Sequence, residues 1–208
     1  TDKYDYNLQD AVKAIATYRP ELKLNVTENS SFNPNVAQTN NTWKMLHNFE
    51  MLGQTLSIDQ VDYAHFWTSR WLEPDPLTED TSAFKTDYQL TPMGYALKVW
   101  NQFLKPKMVN ANTTGTVSSW ASYDPGDRSL SILLLNKLQT QQNVSVTLNN
   151  YRPKSNFLKP WVLQGATPES TDVTWNRSGS AFAWGDKIQL KLEPLSVTAI
   201  AIDSSKVE

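Results

Sequence analysis

There is no cysteine anywhere in the 208-residue chain. Disulfides, thiol nucleophiles and thiolate metal sites are therefore excluded, while the redox compartment is left open. Histidine is almost as scarce, with only His47 and His65. Two imidazoles argue against a multi-histidine metal centre. A serine triad would have to use one of them, and no G-x-S-x-G elbow accompanies it. No stretch approaches the roughly 18 consecutive apolar residues that a membrane-spanning helix requires. Charge of one sign is lacking too: 19 basic and 21 acidic residues are well mixed and leave a net charge of -2. Nucleic-acid binders usually show a basic face, so nucleic acid is not an expected partner, and neither is a membrane. No cofactor or metal is expected. The chain begins with Thr1 rather than Met and shows no basic-then-apolar leader, so the expectation is a processed or excised piece, or one whose first part is missing.

What the chain has is an ordinary globular composition, 39% apolar and 19% charged, with one departure. Eight tryptophans equal the tyrosines and outnumber the seven phenylalanines. Indole faces are flat, and the ring N–H is a hydrogen-bond donor, so tryptophan suits both the apolar face and the hydroxyl rim of a sugar. The plainer reading of most of them is core and interface packing.

Two textures divide the chain. Up to about residue 107, helix and strand patterns alternate. Leu8, Ala11, Val12 and Ile15 recur at helical spacing, and Pro20 stops that helix. Leu22 to Glu28 alternates as a strand and breaks at Asn29-Ser30-Ser31. A second helix is predicted from near Val36 to Gln54, with Trp43, Leu46, Phe49 and Leu52 on its apolar stripe. Val61 to Trp67 reads as a strand rich in β-forming aromatics. A polar loop from Glu73 to Gln89 leads to a third helix, opened by Thr91 as cap and Pro92 in its first turn. Met93, Ala96, Leu97, Trp100, Phe103 and Leu104 form its stripe, and Pro106 ends it.

From about residue 108 the pattern changes to short strands between turns. Val117–Tyr123, Ser129–Asn136, Asn143–Leu148, Trp161–Gln164, Val173–Trp175, Ile188–Leu192 and Ser196–Ile202 predict an antiparallel β-sandwich. The first half reads α-β-α-β-α, the order of parallel β/α units. Two parallel strands cannot close a barrel, and such strands need neighbours on both sides. The reading is thus α/β plus all-β: residues 1–107 as the last units of a TIM-type barrel whose remainder lies upstream, then residues 108–208 as an accessory sandwich.

Glu28 is the sharpest chemical candidate. It ends a strand, on the side of Leu24 and Val26, and a loop follows at once; in α/β barrels the C-terminal strand ends face the active site. The alternative is a carboxylate that caps the next helix or faces water. Trp67 ends the other strand on the side of Tyr63 and His65, where a ring could floor a sugar subsite. His65 below it reads as a buried, paired histidine or as a subsite residue. Asn29, Arg70 and Trp71 are further candidates to line a cleft. Glu50 within a helix, and Glu73, Asp75, Glu79 and Asp80 in the polar loop, are weaker ones.

These residues resemble a known family. Leu24-Asn25-Val26-Thr27-Glu28-Asn29 resembles the seventh barrel strand of clan A glycoside hydrolases, and Tyr63-Ala64-His65-Phe66-Trp67 resembles the eighth. Leu90-Thr91-Pro92-Met93-Gly94-Tyr95-Ala96-Leu97 is similar to their last helix. Leu130 to Lys137 and Leu192 to Ile200 are similar to the accessory sandwich of β-xylosidases, arabinofuranosidases and agarases. The resemblance implies a retaining glycosidase acting on a poly- or oligosaccharide, with Glu28 as nucleophile and Trp67 under the sugar at the cleavage point. It also implies a secreted or periplasmic bacterial protein. In that clan the acid/base Glu follows an Asn on the fourth strand, and this sequence contains no Asn-Glu pair. The expected partners are therefore a carbohydrate substrate and an upstream barrel segment, in the same polypeptide or a second chain. The other class of function is a non-catalytic carbohydrate-binding or interaction module. A surface line of sandwich aromatics among Trp120, Trp161, Trp175 and Trp184 would favour it, although the last strands offer no obvious aromatic row.

Overall fold

A computed structural model describes residues 2–30, 39–70 and 81–203, with side chains from residue 8 onward. Three helices precede most of the strands: α1 (Asp2–Tyr18), α2 (Thr42–Leu56) and α3 (Pro92–Phe103). Between them run β1 (Leu24–Val26) and β2 (Val61–Ala64), a two-stranded parallel sheet. Ten further strands follow, β3 (Lys107–Val109), β4 (Ser118–Tyr123), β5 (Leu130–Asn136), β6 (Gln142–Thr147), β7 (Phe157–Leu158), β8 (Trp161–Gly165), β9 (Val173–Arg177), β10 (Ala181–Trp184), β11 (Lys187–Leu192) and β12 (Ser196–Ile202). They form two antiparallel sheets, one of six strands in the order β3-β4-β5-β12-β8-β9 and one of four in the order β6-β11-β10-β7.

The helix starts follow from capping. Thr91 precedes α3 with its hydroxyl accepting from the Gly94 N–H at 3.0 Å, and Pro92 occupies the first turn, where a missing N–H costs nothing. Asn40 adds a second hold, its Oδ1 accepting from the Met93 N–H and its Nδ2 donating to the Ser82 carbonyl. Asn41 caps α2 by accepting from the Lys44 N–H. The helix predicted from near Val36 begins here at Thr42, and residues 31–38 lie outside the described residues.

Burial shows three layers. Leu130, Ile132 and Leu134 of β5, with Ile200 and Ile202 of β12, meet Ala181, Ala183, Ile188, Leu190 and Leu192 across the sandwich. The alternate residues on the other face of the six-stranded sheet, Leu133, Leu135, Val197 and Ala199, meet α2 and α3 through Met45, Leu46, Phe49, Ala96, Trp100 and Phe103. A strand covered on both sides has no water-facing positions, which is why β5 reads Leu-Ser-Ile-Leu-Leu-Leu-Asn and is buried throughout. By contrast β11, covered on one side, alternates exposed Lys187, Gln189 and Lys191 with buried Ile188, Leu190 and Leu192.

Aromatic rings knit the helical layer to the sheet. Phe49 stacks on Trp100 with centroids 4.9 Å apart, and Trp120 meets both rings edge-on at 5.6 and 5.8 Å. The Trp100 indole N–H donates to the Phe49 carbonyl, so the ring buries no orphan donor. Gly53 lets α2 approach this closely, because a Cβ there would overlap the Trp120 indole. Gly53→Ala is expected to destabilise the fold by about 1–3 kcal/mol through overpacking, despite alanine's higher helix propensity. A urea midpoint equal to that of the unmodified chain would show that helix and sheet part without cost.

Two expectations about the helices change. Trp43, placed on the apolar stripe of α2, is 52% exposed, because the stripe that α3 and the sheet cover runs through Met45, Leu46, Phe49 and Leu52. Leu104 caps α3 instead of extending its stripe, and it is partly exposed.

Candidate active site

β1 and β2 are held by a short parallel ladder, Leu24 opposite Val61, then Asn25 opposite Tyr63 and Val26 opposite Ala64 after one irregularity. Both strands are shorter than the predicted Leu22–Glu28 and Val61–Trp67. The chains nevertheless stay hydrogen-bonded beyond the strands. The His65 N–H donates to the Val26 carbonyl at 2.8 Å, and the Trp67 N–H donates to the Asn29 carbonyl at 3.0 Å. Further on, the Ala83 and Phe84 N–H groups donate to the Thr68 and Ser69 carbonyls. Parallel pairing of this kind means that Glu28 and Trp67 both leave at the C-terminal end of the sheet. The Trp67–Thr68 peptide bond is cis.

Glu28 is exposed, and so is Trp67 at 44%. Asn29 between them in the ladder is the opposite, only 3% exposed, and neither its Oδ1 nor its Nδ2 has a hydrogen-bond partner. A buried side-chain amide left unpaired costs on the order of 1–3 kcal/mol, so such a group commonly marks a place where function overrides stability. His65 departs from the expected buried histidine. It is exposed, with its ring stacked on Tyr63 at 6.1 Å, because the residues after Ala64 run along the open side of a two-stranded sheet that nothing covers there among the described residues.

Arg70 lies over the Tyr88 ring, 4.5 Å from its centroid. Tyr88 adopts a positive φ of 66° in a tight turn closed by the Lys85 N–H donating to the Gln89 carbonyl. A cation over a ring holds the guanidinium in place without neutralising it. Sequence reasoning missed Tyr88, since it falls in the stretch read as a polar loop. The structure thus gathers Glu28, Asn29, His65 and Trp67 at one end of one ladder, with Arg70 three residues beyond Trp67. Trp71 lies outside the described residues, as do Glu73, Asp75, Glu79 and Asp80.

The weaker carboxylate, Glu50, has a different job. It is buried, and the Lys137 ammonium donates to both of its oxygens at 2.9 and 2.7 Å, with the Ser118 hydroxyl donating at 3.1 Å. Among the described residues no group of three or more His, Cys, Asp or Glu could hold a metal ion, and no helix is long and apolar enough to cross a membrane.

The fold, a partial β/α layer with antiparallel sheets behind it, is similar to that of the C-terminal portion of clan A glycoside hydrolases. No family model matches the chain, and no curated protein matches it in sequence. Solved structures do. An α-L-arabinofuranosidase from Thermotoga maritima in complex with arabinose aligns with a TM-score of 0.70 at 14% identity, over 97% of this chain and 48% of its own. A bifunctional glucanase-xylanase from a metagenome library aligns at 0.66 and 19% identity, over 96% and 34%. A family 30 subfamily 8 xylanase from Clostridium acetobutylicum aligns at 0.66 and 16% identity, over 87% and 42%. The chain therefore spans between about a third and a half of the enzymes it resembles.

Proposed function

We propose that this chain supplies the nucleophile half of the active site of a retaining glycoside hydrolase acting on a poly- or oligosaccharide. Glu28 is the attacking carboxylate, and Trp67 floors the sugar at the cleavage point. Residues 1–107 are the last β/α units of a TIM-type barrel, and residues 108–208 are its accessory sandwich. The observation that carries this reading is the ladder that brings an exposed carboxylate and a half-exposed indole out together at the C-terminal end of two parallel strands, where barrel enzymes do their chemistry. The solved enzymes that share the fold are named for acting on glucan, xylan and arabinofuranosides, which supports the substrate class.

The mechanism follows from the chemistry of two carboxyl groups. Glu28 attacks the anomeric carbon as the glycosidic C–O bond breaks. A second carboxylic acid, about 5 Å away, gives its proton to the leaving oxygen. Water then cleaves the glycosyl ester with the second group acting as base, so configuration is retained. That second group belongs to an upstream barrel segment, in the same polypeptide or a second chain. Asn29, His65 and Arg70 line the cleft around it. The resemblance implies a bacterial enzyme working outside the cytoplasm, secreted or periplasmic.

Incubating the intact enzyme with a mechanism-based fluorosugar of the right configuration should trap the ester, and peptide mass spectrometry should find the label on Glu28. A label on another carboxylate sinks the assignment. Trp67→Ala should weaken substrate binding roughly 2- to 10-fold, the worth of about one ring contact, while leaving measurable kcat. Loss of kcat with KM unchanged would remove Trp67 from the subsite.

A further inference from the structure

β10 runs against the usual pattern of a half-buried strand. Its two alanines face the sandwich core, Ala181 at 0% and Ala183 at 2% exposure, while Phe182 and Trp184 face water at 61% and 86%. Phe157 on β7 stands beside Phe182 in register, 50% exposed, with its ring edge-on at 6.4 Å. Burying a large apolar side chain stabilises a fold, so a strand serving stability alone would turn these rings inward. Isolated exposed apolar residues need no explanation, but neighbouring aromatics that share one face of a sheet do.

The rest of that face says what they meet. Gln189 is the cross-strand partner of Phe182, Lys187 that of Trp184, and Ser145 follows Gln189 on β6. Strands lie about 4.8 Å apart, so amide, ammonium and hydroxyl groups stand directly beside the rings. A membrane surface would need the apolar area to continue, and here it gives way to hydrogen-bonding groups within one strand. β-Strand addition beside the rings would need a long free edge there, and β7, the edge strand on that side, has two residues; the longer edge strand, β6, lies on the far side of the sheet. Flat apolar planes bordered by donors and acceptors match a sugar chain, whose rings carry C–H faces and hydroxyl rims.

We propose that the outer face of the four-stranded sheet, led by Phe157, Phe182 and Trp184, is a non-catalytic surface that holds a polysaccharide chain apart from the strand-end site. This inference takes only the substrate class from the proposed function and does not require Glu28 to be the nucleophile. The test is adsorption of the intact protein to insoluble xylan and to microcrystalline cellulose. The unmodified protein should deplete from solution onto at least one of them. The double variant Phe182→Ala/Trp184→Ala should lose at least tenfold in apparent affinity at an unchanged melting temperature, because both side chains are exposed. Phe182→Tyr/Trp184→Tyr should keep adsorbing, since it keeps the planes. Glu28→Gln should adsorb like the unmodified protein; if that variant turns over normally, the nucleophile assignment fails while the surface stands. No adsorption by the unmodified protein, or adsorption that survives the alanine pair, overturns the proposal. So does sedimentation showing a dimer that only the alanine pair dissolves, because the face would then bind a second copy of the chain.

Discussion

Glu28→Gln in the intact enzyme should drop turnover on the order of a thousandfold or more while leaving substrate affinity within about twofold. The amide nearly matches the carboxylate in size, and Glu28 is exposed, so neither packing nor desolvation changes when it is replaced. Only the ability to attack is removed, because a carboxamide oxygen carries no charge to offer the anomeric carbon. Glu28→Ala opens room beside that carbon, and added azide should then restore part of the bond cleavage. The product should be a glycosyl azide of inverted configuration, formed as azide attacks and the leaving oxygen takes its proton from the acid. Kinetics on an activated aryl glycoside and product analysis read both effects. Turnover above about a tenth of the original in Glu28→Gln, with no change on azide addition to the alanine variant, would assign the chemistry to another residue.

The second large effect is one of stability. Lys137→Met should destabilise the chain by about 3 kcal/mol, and Glu50→Gln by less, about 1–2 kcal/mol. The order comes from what each change leaves behind. Without Lys137, the Glu50 carboxylate, 7% exposed as a side chain, keeps only the Ser118 hydroxyl. Without the Glu50 charge, the Lys137 ammonium, 32% exposed, still reaches water. Replacing both by apolar groups should cost less than Lys137→Met alone, since no buried charge remains. Urea denaturation of the three variants measures the order. Equal midpoints for the two single variants would show that the pair is solvated and ties nothing together.

The parts of the fold legible in the sequence were those whose pattern reflects a single neighbour. The α3 cap at Thr91-Pro92 and the alternation of β11 are local signals, and the structure places those elements within a residue of the reading. β12 was read at its full span, Ser196–Ile202. β3, β7 and β10 were missed for separate reasons. β3 and β7 have three and two residues, too few for any period to register. β10 carries its small residues inside and its aromatics outside, so a search for apolar residues facing a core passes over it. The Ala-Phe-Ala-Trp alternation was the available signal, and it needed reading with the opposite sign. Of the sandwich tryptophans named as a possible surface line, Trp120, Trp161 and Trp175 instead pack toward the helical layer, and Trp184 alone stands in water. At the candidate site, the two strands leading toward Glu28 and Trp67 were legible because a run of alternating residues stops visibly at a polar break, but both end earlier than the pattern suggests, at Val26 and Ala64. The burial of Asn29 and the exposure of His65 were not, because both depend on what lies across the sheet.

The boundary read between residues 107 and 108 cuts through the layer that Phe49, Trp100 and Trp120 share. A severed sandwich would carry Trp120, Leu133 and Val197 naked on one side, and the severed helices would lose the surface that folds them. Modular shuffling therefore has a natural seam elsewhere: a sandwich moved to a new barrel has to travel with α2 and α3, or arrive with that whole face redesigned as polar. Chimeras joined at residue 107 should aggregate, whereas chimeras joined ahead of Asn41 should express.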